Sequence, residues 1–315
     1  MRRILAVLGI LILSVSGVLM HAQLSGPREL VGTWTLSAIE RIATGGTSTT
    51  LPLPRGLLVF DAAGHAFELA EHGRRTPYAG NQPTPAEGRA VYDNYSGFWG
   101  GYTVDRPAKK ITYRPKGAIS PNAMNQDVVR SFEMTGDRLI VTATSGEPDG
   151  QEGVRWTWDR VPPLANLTQA NRHLIGFWEH IVERRVNAVT GAVLSETRRA
   201  PSIIVYTPSG YVGVHFPPLN RTPFSGSTPT DDEARAAIAG VVSYYGSYTL
   251  HPDIVFHHRL IILGAAPGDS LKRFYEIAGD ELRLRFPPVM NQGQEVRTVV
   301  TLKRLSGAAE MLGAR

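Results

Sequence analysis

The chain writes one unit twice, and this limits its fold more than any other feature. Ser96-Gly-Phe-Trp-Gly-Gly-Tyr-Thr-Val, followed by Lys110-Ile-Thr-Tyr-Arg114, returns as Ser243-Tyr-Tyr-Gly-Ser-Tyr-Thr-Leu, followed by Ile254-Val-Phe-His-His-Arg259. Leu30-Val-Gly-Thr-Trp34 returns as Leu174-Ile-Gly-Phe-Trp178, and the two tryptophans stand 144 residues apart. Gly64 and Gly210, each closing an apolar strand in a turn that needs φ > 0, are 146 residues apart. Each copy must therefore build and bury its own core, and a chain of 315 residues has room for two.

Within a copy, the periodicity is that of β-structure. Trp34 and Leu36 share a face by period-two alternation, and short apolar runs recur between turn signals. Gly136-Asp137 and Gly279-Asp280 open tight hairpins, and Arg155 to Arg160 and Val299 to Arg304 form the last strands. One helix is expected per copy: Thr84 with Glu87, and Thr230 with Glu233, have the spacing of a capping box. About eight strands and one helix per unit favour an all-β fold of two tandem up-and-down antiparallel barrels, because closure leaves no edge strand exposed. The barrels are expected over 29–162 and 173–305, with Val161-Pro-Pro-Leu-Ala-Asn-Leu-Thr-Gln as the linker.

Residues 1–22 read as a signal peptide: Arg2-Arg3 precede an apolar run from Ile4 to Met20, and cleavage is expected after Ala22. The alternative is an uncleaved anchor, which would be the chain's one membrane attachment. A periplasmic or secreted location follows, and with no cysteine each barrel must be held by its core alone. A net charge of +5 with scattered Lys and Arg argues against nucleic-acid binding and suits a small anionic partner.

The repeated signatures resemble the lipocalin-like domain family. They are Leu-[Val/Ile]-Gly-x-Trp, Tyr206-Thr-Pro-Ser-Gly-Tyr211, Ser243 to Thr249, Val255-Phe-His-His258, Arg273, Gly-Asp-x-Leu and the closing Lys-Arg. The second copy matches along nearly its whole length. The first has Tyr113-Arg114 in place of the histidine pair and Asp61-Ala-Ala-Gly in place of the Thr-Pro turn. The resemblance implies barrels that hold small molecules, a fold used by carriers and by cofactor-free cyclases and isomerases alike.

Alternation places His257 and Arg259 on the face of Val255, hence inside the second barrel if Val255 is. There they would hold the anionic or carbonyl end of a largely apolar ligand, chiefly in this second barrel. Alternatively, His257 is a hydrogen-bonded core histidine. The remaining ligand candidates are His215 and Tyr211, beside a cavity that Gly213 leaves open, with Tyr245, Arg273, Trp99, Tyr113 and Arg130; the alternatives are a rim position for His215 and core or barrel-end plugs for the aromatics. The recurrence of Arg130 and Arg273, and of Arg160 and Arg304, also fits buried guanidinium groups bonded to carbonyls. Glu68 and Glu71 read as rim charges.

No metal site is expected, since His257 and His258 face opposite ways on a strand, and no cofactor motif occurs. Three functions stay open. One is an exported small-molecule binder. Another is a cofactor-independent cyclase, isomerase or lyase with His257 as acid/base and Arg259 or Tyr245 as oxyanion partner. The last is a scaffold whose first barrel is filled.

Overall fold

In the computed structural model, residues 28–306 are described, apart from 44–45, 75, 77, 81, 125, 144–152 and 264–267. The expected signal segment lies outside the described residues. The first copy runs β1 (Gly32–Ile42), β2 (Ser48–Thr50), β3 (Arg55–Phe60), β4 (His65–Glu71), α1 (Pro85–Asn94), β5 (Tyr95–Asp105), β6 (Lys110–Ala118), β7 (Val128–Thr135), β8 (Arg138–Ala143) and β9 (Gly153–Val161). After α2 (Gln169–Leu174), the second copy runs β10 (Gly176–Asn187), β11 (Val193–Thr197), β12 (Ile203–Tyr206), β13 (Tyr211–Phe216), α3 (Asp231–Ile238), β14 (Val242–Leu250), β15 (Ile254–Ile262), β16 (Leu271–Ala278), β17 (Glu281–Arg285), β18 (Val289–Asn291) and β19 (Gln294–Arg304).

Every pairing is antiparallel, and each sheet closes on itself: β1 bonds β9, and β10 bonds β19. The expected pair of barrels is what forms, each a ring of eight strands. The short strands β2, β11 and β18 lie outside the rings, against the far ends of β1, β10 and β19. The expected linker needs one correction, because it folds in part. Thr168 caps α2, its hydroxyl accepting from the Asn171 backbone N–H, with Asn171 at the position that Glu87 and Glu233 hold in α1 and α3.

A matched clamp shuts the base of each ring. Trp34 Nε1 donates to the Leu30 carbonyl at 2.9 Å, while Arg160 lies 4.0 Å over the Trp34 ring and donates to the Val31 and Glu29 carbonyls. Trp178, Leu174, Arg304, Ile175 and His173 repeat the arrangement. These half-buried guanidinium groups bond carbonyls and stack on indole, so each end of the repeat ties its last strand to its first.

A bulge recurs opposite Gly100 and Gly246. A Cβ there would stand 2.1 Å from the Arg114 carbonyl oxygen or 1.9 Å from that of His258, so only glycine allows the approach. The extra residue on β15 shifts the side-chain alternation. Val255, His257 and Arg259 face in, whereas Ile261 faces out.

The barrels dock through their outer walls. Leu57, Val59, Phe67, Leu69 and Trp99 of the first form one apolar cluster with Phe177, Ile203, Val205, Tyr245 and Ile261 of the second. Helices α1 and α3 pack beside it, where a Cβ on Gly88 would come within 2.6 Å of the Arg235 Cβ. Arg221 reaches across to the Ala118 and Ile119 carbonyls and also donates to Ala237 at 2.8 Å.

Candidate functional site

The docking corrects several expectations at once. His215, Tyr211, Tyr245 and Trp99 face the inter-barrel contact, not a lumen. The His215 imidazole lies 3.1 Å from the Ser243 hydroxyl, which meets Tyr95 of the other barrel at 2.9 Å. Trp99 Nε1 donates to the Pro201 carbonyl at 3.1 Å. Tyr211 and Tyr245 pack on the shared apolar cluster. The room beside Gly213 is taken by Phe67, whose ring would lie 2.3 Å from an added Cβ. Period two separates two faces of a strand but does not name the lumen, and here both faces are buried.

Among the expected residues, Tyr113, Arg130, His257, Arg259 and Arg273 do face inward, three of them in the second barrel. His257 is 1% exposed and held on both nitrogens: Tyr206 OH lies 2.8 Å from Nε2 and Tyr244 OH 2.7 Å from Nδ1. Burial first, then the charge of Arg273, pushes its pKa down to about 3, so the ring is neutral. It is a fastened core histidine. His258 faces out, hydrogen-bonded to Thr249 and Ser270. Arg259 reaches the rim, donating to the Asp269 carbonyl at 3.0 Å. Arg273 stacks on Phe286 at 3.6 Å and donates to the Lys272 carbonyl at 2.8 Å.

The first barrel holds a cavity of about 130 Å³. Its walls include Ile39, Ala70, Phe98, Tyr113, Ala118 and Trp156, and its mouth passes His72 and Asp93 at the end of α1. A cavity of about 150 Å³ in a protein core is enough to admit benzene. The register explains why it opens here. Ala70 and Ala118 take the places that Phe216 and Ile262 fill in the second barrel.

Across this cavity lies an ion pair that the sequence reading missed. Glu68 and Glu71 are not rim charges, for both are buried. Glu68 accepts from Arg130 Nη1 at 3.2 Å, and Glu71 meets Arg55 at 2.6 Å. The Arg130 guanidinium sits 4.5 Å from the Trp156 ring and 5.5 Å from Tyr113. The signal for Glu68 was present, because it alternates with Ala66 and Ala70, both buried. Chemically, the arrangement offers an aromatic slot with one donor and one acceptor at its wall.

The profile of the lipocalin-like domain family matches residues 31–161 and again 175–305. The chain belongs to the lipocalin-like domain family. No curated protein matches it. Among solved structures, a Bacteroides fragilis chain provisionally described as an outer membrane protein is similar at 10% identity and a TM-score of 0.24, over 88% of this chain and 98% of that one.

Proposed function

We propose that this lipocalin-like protein is an exported small-molecule binder whose first barrel encloses a small, uncharged, largely apolar guest bearing a hydroxyl or carbonyl group. The observation that carries the reading is the cavity of about 130 Å³ with the Glu68–Arg130 pair on its wall. Such a pair does not stabilise a barrel by itself, since desolvating two charges offsets their attraction. The second copy folds with Val214 in place of Glu68. A guest that accepts from Arg130 or donates to Glu68 gives the pair a use. Export rests on the Arg2-Arg3 and Ile4–Met20 pattern of the leading segment. Binding is favoured over acid–base catalysis because the candidate base, His257, is sealed between two tyrosines with its proton affinity far below neutral pH.

The test is a fluorine-NMR titration of the whole protein with 4-fluorobenzyl alcohol, comparing the unaltered chain with Ala70→Phe. Saturable binding is expected, together with a loss of at least about tenfold in affinity when Phe fills the slot. Equal binding by both proteins refutes the placement.

A further inference from the structure

The two lumens differ in charge, although one scaffold builds both. In the first, Arg130 faces Glu68, and the position opposite the bulge glycine is Pro115. In the second, Arg273 stands at the position of Arg130, Val214 stands at the position of Glu68, and the position opposite the bulge glycine is Arg259. Among the described residues, neither Arg259 nor Arg273 has a carboxylate partner. Each spends one bond on a backbone carbonyl, and Arg259 Nε is buried with no acceptor. Glu183, an inward-facing acid of this barrel, is held by Arg199 at 3.1 Å.

The tyrosines add a third donor. A neutral imidazole donates from one nitrogen and accepts at the other. Of the two hydroxyls bonded to His257, one therefore donates to it and the other accepts from it. Among the described residues, the accepting tyrosine, whether Tyr206 or Tyr244, has no acceptor for its own O–H proton. In the first barrel Phe60 and Phe98 occupy these two positions and carry no hydroxyl. Burial, with Arg259 adding repulsion, lowers the proton affinity of Arg273, as expected for a cation without a counter-ion.

We infer that the second barrel is an anion site, receiving a small carboxylate between Arg259 and Arg273 with a tyrosine hydroxyl as the third donor. His257 is its positioning residue: it touches no ligand and sets which hydroxyl proton is free. The inference stands on different residues from the proposed use of the first barrel, and either can fail alone.

The experiment is a fluorine-NMR titration of the whole protein with 4-fluorobenzoate and with 4-fluorobenzamide, which matches its shape without the charge. The benzoate is expected to bind more tightly than the amide. Arg259→Met and Arg273→Met should each weaken the benzoate at least about tenfold and leave the amide within about twofold. Val214→Glu, which gives Arg273 the acid that the first barrel has, should do the same. If Arg273→Met does not fold, by circular dichroism, the other two variants carry the test. The inference is overturned by any of three results: no benzoate binding, equal loss of both probes in the variants, or loss of the benzoate in Ala70→Phe, which would place the anion in the first barrel.

Discussion

Replacing Glu68 with valine copies into the first barrel the residue that the second has at Val214. At 3.2 Å, and with an effective dielectric of about 20, the attraction between Glu68 and Arg130 is roughly 5 kcal/mol before desolvation. The two side chains are 1% and 7% exposed, so solvent screens little of it. Glu68→Val leaves the Arg130 charge buried against Trp156, Tyr113 and Phe98 without its acid. Breaking one side of such a pair costs about 3–5 kcal/mol, whereas replacing both partners with apolar groups is about neutral, or stabilising by about 1–4 kcal/mol. Glu68→Val should therefore lower the stability of the first barrel by about 3–5 kcal/mol, and Glu68→Val/Arg130→Met should restore it. Urea unfolding followed by tryptophan emission measures both, with Trp156 at the site as reporter. A single variant costing less than about 1 kcal/mol would refute the argument, as would a double variant no better than the single one.

Other consequences can be measured in the same way. Gly213→Val should strain the inter-barrel contact by about 1–3 kcal/mol, because Phe67 occupies the space, and Phe67→Ala should relieve part of that loss; thermal unfolding of the four proteins decides it. His215 and His257 are both pushed down to about 3 from 6.5, mainly by burial, with Arg221 and Arg273 respectively adding to it. Their folded-state values lie below the unfolded one, so their stabilisation is whole above pH 6.5 and is lost as pH falls from there toward 3. Each should contribute a slope of up to about 1.4 kcal/mol per pH unit, read between pH 6 and 5, where most carboxylates have not yet titrated. A stability that does not change over that interval contradicts the burial of both rings.

Much of the architecture is legible in the residues themselves. The duplication, the capping boxes at Thr84 and Thr230, and the hairpin glycines are local, and local rules read them. The inward face of β15 was read correctly from alternation, as far as the bulge opposite Gly246. Reading failed at the outer wall of β13. Tyr211, Gly213 and His215 looked like cavity residues because alternation distinguishes two faces without saying what covers each. It failed at Glu68 for a related reason: a charge on an apolar strand suggests solvent until its counter-ion, 62 residues away on β7, is known.

The sequence by itself determined that two β-barrels form, how each is strung, and that Arg160 and Arg304 bond carbonyls, because these depend on neighbours along the strand and on signals repeated in both copies. Only the tertiary structure decided which walls meet and where the cavity of the first lumen lies. It also decided that the half-buried Arg259 and Arg273 meet no carboxylate among the described residues. Those outcomes depend on side chains far apart in the chain filling, or failing to fill, the same space.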